Sequence, residues 1–160
     1  MSSVAPGDAR ARRQRTHEIK DGLRELRDQL AMLNRQVGAR LELKDVDLDC
    51  LELISRHGPL NPGAVARRAG VHPATMTGIL DRLEHAGWVT REPDPADRRG
   101  VSVRALPDRA GEVHGLLAGM NNAVEDICAG YSYAELDVIA GFLDRAIEAG
   151  RAATEDLAGA

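Results

Sequence analysis

Aromatic side chains are almost missing: one Trp, two Tyr and one Phe among 160 residues. A core made from this chain must be aliphatic, drawn from Leu, Val, Ile, Ala and Met, and hydrophobic residues still make up 43% of it. Cysteine is nearly as scarce. Cys50 and Cys128 form no CxxC pair and fall in apolar helical stretches, so they read as two buried thiols in a reducing compartment. No apolar run is long enough to span a bilayer, and Met1 to Arg15 lacks the apolar segment of a signal peptide. The expected location is the cytoplasm. There is no HExxH, no GxSxG, no phosphate-cradling Gly-rich loop and no zinc-type Cys/His spacing. Neither an enzyme nor a bound cofactor or metal is expected. His17, His57, His72, His85 and His114 are scattered, and only His114 with Glu112 and Cys128 is a set that could meet at a metal in an assembled dimer.

What is present is concentrated between Asn61 and Leu106. Asn61 is suited to cap a helix whose first residue is Pro62, because Pro lacks the N–H that would be orphaned there. Val65, Ala66 and Ala69 line one face, and Gly70 follows as a stop that tolerates positive φ. Val71 and His72 form a turn and Pro73 opens a second helix. Met76, Ile79, Leu80 and Leu83 recur along it at helical spacing until Gly87 ends it. Residues 88–91 and 101–104 then read as strands. Between them Pro93 to Gly100 makes a polar tip with adjacent arginines. Helix, turn, helix and basic hairpin is the layout of a winged helix-turn-helix.

The charge is placed to match. The whole chain carries −4, which argues against indiscriminate nucleic-acid binding, but Asn61–Leu106 holds seven arginines against five acids and is net +2. A helix fits the DNA major groove, where base edges differ. An arginine on a slim hairpin can enter the minor groove, where the negative potential is strong. Binding is expected to be modest and salt-sensitive.

These residues also resemble a family. Thr75-Met76-Thr77 leading into Asp81-Arg82-Leu83-Glu84, then Gly87-Trp88-Val89, then Asp94-Pro95 with Asp97-Arg98-Arg99, are similar in order and spacing to the core of the multiple antibiotic resistance regulator (MarR) family of bacterial transcription factors. The resemblance covers roughly residues 16–150 and is most specific over 60–106. It implies a homodimer joined by the first and last two helices, a third short strand at Leu60, and a small, often phenolic effector that releases a repressor from DNA. Two departures stand out. Gly78 lies where many relatives carry arginine, and Leu106-Pro107-Asp108-Arg109 replaces a usual Thr-Pro-x-Gly helix start. The family's peroxide sensors place a cysteine near the start of the first helix; none is there.

The fold class expected is mainly α with a small β-wing: a winged helix-turn-helix flanked by N- and C-terminal dimerisation helices. Residues 1–15, with Arg10, Arg12, Arg13 and Arg15, read as a disordered basic arm. Residues 16–44 hold a helix with Ile19, Leu23, Leu26, Leu30, Leu33 and Val37 in a heptad seam. Residues 45–106 form the DNA-binding domain, opened by a helix from Lys44 or Asp45 to about Arg56. Residues 107–160 supply two helices, broken at Gly130-Tyr131-Ser132, the second with an apolar stripe through Leu136, Ile139, Leu143 and Ile147. Two copies of one reader about a two-fold axis would recognise a palindromic duplex.

The recognition residues follow from the helix face. With Met76, Leu80 and Leu83 buried, the opposite side presents Pro73, Ala74, Thr75, Thr77, Gly78 and Arg82, and His72 stands at the N-cap. Thr75 and Thr77 can bond base edges or phosphates, and Arg82 either reaches a phosphate or pairs with an acid. In the wing, Arg99 is the best minor-groove residue, Arg98 the alternative, and Asp97 the expected brace that aims the Arg99 guanidinium. The rival readings are a winged helix used only for protein contacts, and a metal- or redox-responsive regulator of the same fold.

Overall fold

The computed structural model describes residues 6–95, 97 and 99–158. Six helices and two strands follow in order: α1 (Pro6–Leu41), α2 (Asp45–His57), α3 (Pro62–Ala69), α4 (Pro73–His85), β1 (Val89–Pro93), β2 (Val101–Ala105), α5 (Pro107–Ala129) and α6 (Tyr133–Ala158). They make two compact units, one ending at Leu116 and the other starting at Leu117, so α5 contributes to both.

The first helix corrects the expected arm. It starts at Pro6 rather than Thr16, so residues 6–15 are helical, while residues 1–5 lie outside the described part. Low hydrophobicity suggested disorder, but Ala, Arg and Gln are strong helix formers that need no core to favour this conformation. Local pairs add to it: Arg15 Nη1 to Glu18 Oε2 at 2.7 Å, and Gln14 Nε2 to Glu18 Oε1 at 3.2 Å. At its far end α1 is anchored by Val37, which is buried. The chain then doubles back over Gly38, whose carbonyl accepts the Leu43 N–H at 2.9 Å. A Cβ at Gly38 would lie 2.9 Å from the Leu43 carbonyl oxygen, so this close turn requires glycine.

In the first unit the core forms where α2, α3 and α4 meet the base of the hairpin. Leu51 and Ile54 of α2, Val65 of α3, and Met76, Ile79, Leu80 and Leu83 of α4 are all buried, as are Trp88, Val89 and Val103. The helix-turn-helix boundaries fall where local chemistry puts them. Asn61 Oδ1 accepts the Ala64 N–H at 2.8 Å, and Gly70 closes α3 in the left-handed region at φ 63°. Trp88 lies just before β1 rather than within it, its ring packed into the core. The strands pair antiparallel from Val89 opposite Ala105 to Pro93 opposite Val101. Leu60 adds the expected third bridge, exchanging both backbone hydrogen bonds with Val103 at 3.0 and 2.7 Å.

Cys50 sits in the same core, but Cys128 is only half-buried, which corrects the expectation of two buried thiols. The reason is the helix it occupies. In the second unit, Ser132 and Glu135 cap α6 reciprocally, the Glu135 carboxylate accepting the Ser132 N–H at 2.8 Å and the hydroxyl at 2.7 Å. Yet neither α5 nor α6 buries a residue fully within the chain. No helix among the described residues is long and apolar enough to cross a membrane.

Candidate nucleic-acid interface

Helix α4, the reader expected from the sequence, divides cleanly by face. Met76, Ile79, Leu80 and Leu83 point into the core, while Pro73, Ala74, Thr75, Thr77 and Arg82 are exposed and Gly78 is half-exposed between them. Small side chains along this outer face let a helix backbone approach a duplex closely. Thr77 folds back, its hydroxyl donating to the Pro73 carbonyl at 3.4 Å, and the residue remains exposed. His72 caps the helix: its Nδ1 accepts the Ala74 N–H at 3.2 Å. An accepting Nδ1 is unprotonated, so the neutral ring carries its proton on Nε2, the nitrogen left for an outside acceptor.

Arg82 is held more firmly than its exposed position suggests. Its Nε donates to Asp47 Oδ2 at 2.9 Å and its Nη2 to Asp47 Oδ1 at 2.6 Å. The Asp47 side chain is only 4% exposed, at the first turn of α2. The hydrogen bond to this carboxylate, ahead of the loss of solvation, raises the guanidinium above its ordinary range. Of the two alternatives offered for Arg82, the acid is observed as a partner, 35 residues earlier. The signal was in the sequence. Asp47 lies four residues before Leu51 and seven before Ile54, on the stripe that α2 buries. An acid on a buried stripe demands a cationic partner.

The remaining acids of the Asp81-Arg82-Leu83-Glu84 motif hold the wing to the reader. Arg91 of β1 donates through Nη2 to Asp81 at 2.7 Å and through Nη1 to Glu84, while its backbone N–H reaches Glu84 Oε1 at 3.1 Å. Across the hairpin, Arg104 Nη2 meets Glu92 Oε1 at 2.6 Å, and that hydrogen bond holds the Glu92 carboxyl below its usual range. Reading the sequence singled out neither Asp47 nor Arg91, because both roles depend on contacts across elements.

At the wing tip Asp97 is a brace, but of a different kind from the one expected. Its Oδ1 accepts the backbone N–H of Arg99 at 2.9 Å, and its carbonyl accepts the Gly100 N–H at 2.8 Å. A short acidic side chain closing the turn on itself is a more economical device than a solvated charge pair. The carboxylate therefore shapes the loop rather than gripping the guanidinium. Arg99 is exposed on this loop, and Arg98 lies outside the described residues. Among the described residues no three His, Cys, Asp or Glu side chains are grouped closely enough to hold a metal ion.

The dimerisation residues named from the sequence are uncovered. Ile19, Leu23, Leu26 and Leu30 are 36–44% exposed along α1, and Ile139, Leu143 and Ile147 are 39–53% exposed along α6, with Leu136 half-buried.

Comparison with known proteins agrees with this geometry. The pattern of the MarR family matches residues 43–101, from the turn before α2 to the start of β2. The HTH-type transcriptional regulator YcgE of Bacillus subtilis (strain 168) is 29% identical over 125 residues, covering 78% of this chain and 81% of that protein. The HTH-type transcriptional repressor YetL of the same organism is 30% identical over 84 residues, 52% of this chain and 50% of YetL. Among solved structures, the transcriptional regulator Tm0710 from Thermotoga maritima superposes with a TM-score of 0.61 at 26% identity, over 83% of this chain and 94% of its own. The helix-turn-helix, the two-stranded wing bridged by Leu60 and the match over residues 43–101 make the chain similar to the MarR family of winged helix-turn-helix transcriptional regulators.

Proposed function

We propose that this regulator acts as a homodimeric repressor of a palindromic operator, released by a small effector. The observation that carries the dimer is the uncovered seam: four large apolar side chains at heptad spacing on α1 and three more along α6. Apolar stripes of that length on a lone chain need a partner surface. A second copy supplies one and fixes two α4 helices at a set separation. His72, Pro73, Ala74, Thr75, Thr77 and Gly78 then lie in the major groove, with Arg98 and Arg99 at the flanking minor groove and Asp97 holding the loop. Repression is favoured by the similarity to YetL, a protein named as a repressor. The effector is of the small phenolic class that the family resemblance implies. It acts only if it binds more tightly to the spacing that DNA rejects.

Selection of duplexes from a random pool by the purified protein tests the reading. An inverted repeat with half-sites about one helical turn apart is the expected outcome, bound with a steep salt dependence. A monomer by sedimentation equilibrium, or selection of half-sites without symmetry, would overturn it.

A further inference from the structure

Asp47 and Gly78 do not face DNA with side chains of their own, yet together they fix what Arg82 can do. The fork to Asp47 occupies Nε and Nη2, leaving Nη1 as the only nitrogen of that guanidinium not used by the carboxylate. Nη1 lies over Gly78, where a Cβ would come within 3.6 Å of it. It therefore occupies the space that a side chain at position 78 would otherwise fill, on the exposed face of α4. A free arginine samples many rotamers, but this one is locked, with both N–H groups of Nη1 and the second N–H of Nη2 left to donate outward. Held in one place by Asp47, it can donate a charge-assisted bond to a phosphate oxygen without giving up that pair.

We propose that Arg82 is a pre-aimed phosphate clamp, with Asp47 as its buried positioning residue and Gly78 as the clearing that exposes Nη1 to the DNA backbone. This rests on α4 being the reader, as argued above. The clamp sets the depth and register of α4 in the groove and carries no sequence information. It also gives Gly78 a role: where a long side chain at 78 would reach the DNA directly, the neighbouring turn supplies the cation.

The test uses the full-length protein and the duplex it selects. Arg82→Lys keeps a cation beside Asp47 but removes Nη1. It should weaken binding about tenfold, equally for the selected duplex and its single-base variants, and lower the salt slope by about one per subunit. Asp47→Asn removes a negative charge from a DNA-binding protein, which by charge alone strengthens binding. Weaker binding is expected instead, and the weakening should vanish in the Arg82→Lys background. Gly78→Leu, whose side chain would cover Nη1, should bind as Arg82→Lys does. Neutral methylphosphonates placed singly along the duplex should reveal one position that costs the native protein affinity and costs Arg82→Lys nothing.

Variants that melt earlier yet keep native affinity and salt slope would overturn the clamp, leaving only a tie between α2 and α4. A relaxed preference at one base pair with an unchanged slope would overturn it in favour of a base reader. Native protein that binds no duplex would overturn the reader assignment as well, whereas native binding indifferent to Arg82→Lys overturns this inference alone.

Discussion

The guanidinium of Arg109 lies 3.7 Å above the centroid of the Trp88 ring and donates through Nη1 to the carbonyl of Ala86. Ala86 is the C-cap of α4, so the first turn of α5 closes the end of the recognition helix. Glu112 holds the same guanidinium from below, at 3.1 Å from Nε. Arg109 is where this chain departs from the glycine that the family resemblance leads one to expect, and the cation–π contact gives that departure a purpose.

Arg109→Ala should accordingly lower the stability of the first unit by about 1–2 kcal/mol, the range for a cation over indole with part of its water removed. Trp88 is the only tryptophan, so its fluorescence reports the change without interference. Removing the arginine should expose the ring face, move the emission to longer wavelength and lower the urea midpoint. An unchanged spectrum and midpoint would mean that the contact contributes nothing.

Stability and binding should separate along α4. Leu80→Ala removes a side chain buried among α2, α3 and the hairpin, and should cost about 2–5 kcal/mol with a loss of DNA binding only as the protein unfolds. Gly78→Ala acts in the opposite direction. Gly78 has ordinary helical backbone and its nearest outside neighbour would be Arg82 Nη1 at 3.6 Å, so the alanine should stabilise by about 0.5–1 kcal/mol. Paired denaturant curves measure both; a destabilised Gly78→Ala would show that the space above it is tighter than it looks.

The wing predicts a different pattern. Arg99→Ala should weaken binding of the selected duplex at least about tenfold, equivalent to ~1.4 kcal/mol, with no change in oligomeric state. Asp97→Ala touches no DNA in this scheme. It frees the Arg99 backbone N–H from its acceptor and loosens the loop, so part of the same loss should follow. Fluorescence anisotropy on labelled duplex distinguishes the cases. An affinity unaffected by Arg99→Ala would remove the wing from recognition.

The reading of the sequence succeeded where structure is dictated locally and failed where it is not. Asn61, Pro62, Gly70 and Pro73 mark the reader's boundaries because caps and left-handed stops act within a few residues. The hairpin followed from β-branched runs around a Pro- and Asp-rich tip. The arm was misjudged because composition was weighed by hydrophobicity, whereas Ala9, Arg10, Ala11, Arg12, Arg13 and Gln14 are simply good helix formers. Arg82 with Asp47 and Arg109 with Trp88 join residues distant in the chain, and only packing brings them together. Of these, Asp47 alone had left a trace, an acid on an apolar stripe.

Cys50 should behave as an inert thiol. Burial, then the nearby charges of Asp47 and Asp49, pushes it from the usual 9.0 up to about 11. Since the thiolate is the nucleophile, native protein at pH 8 should not be alkylated at Cys50 by iodoacetamide over hours, while urea-unfolded protein should react readily. The linkage has a definite sign. Between pH 9 and 11 the unfolded chain releases this proton and the folded one keeps it, so the contribution to stability is complete below pH 9 and lost as pH rises towards 11. Mass spectrometry of the alkylated peptides reads the first effect. Cys50→Ala should flatten the alkaline limb of the stability curve if the second is correct.

The seam offers the most demanding test, because Leu26 and Leu30 contribute nothing to the buried core of the chain. Both are about two-fifths exposed, on the helix whose buried anchor in the first unit is Val37. Leu26→Asp and Leu30→Asp should therefore leave the melting of an isolated chain little changed. In a dimer the same aspartates would face apolar partners without counter-charges, at a cost of several kcal/mol each for an unpaired buried carboxylate. Sedimentation equilibrium should show monomers for either variant, and a raised dissociation constant for the milder Leu26→Ala. DNA affinity should fall with the dimer, since a monomer engages one half-site and loses the second contact that the first holds close. A dimer that survives both aspartates would place the interface elsewhere. The apolar face of α6, through Ile139 and Leu143, would then be the next surface to mutate.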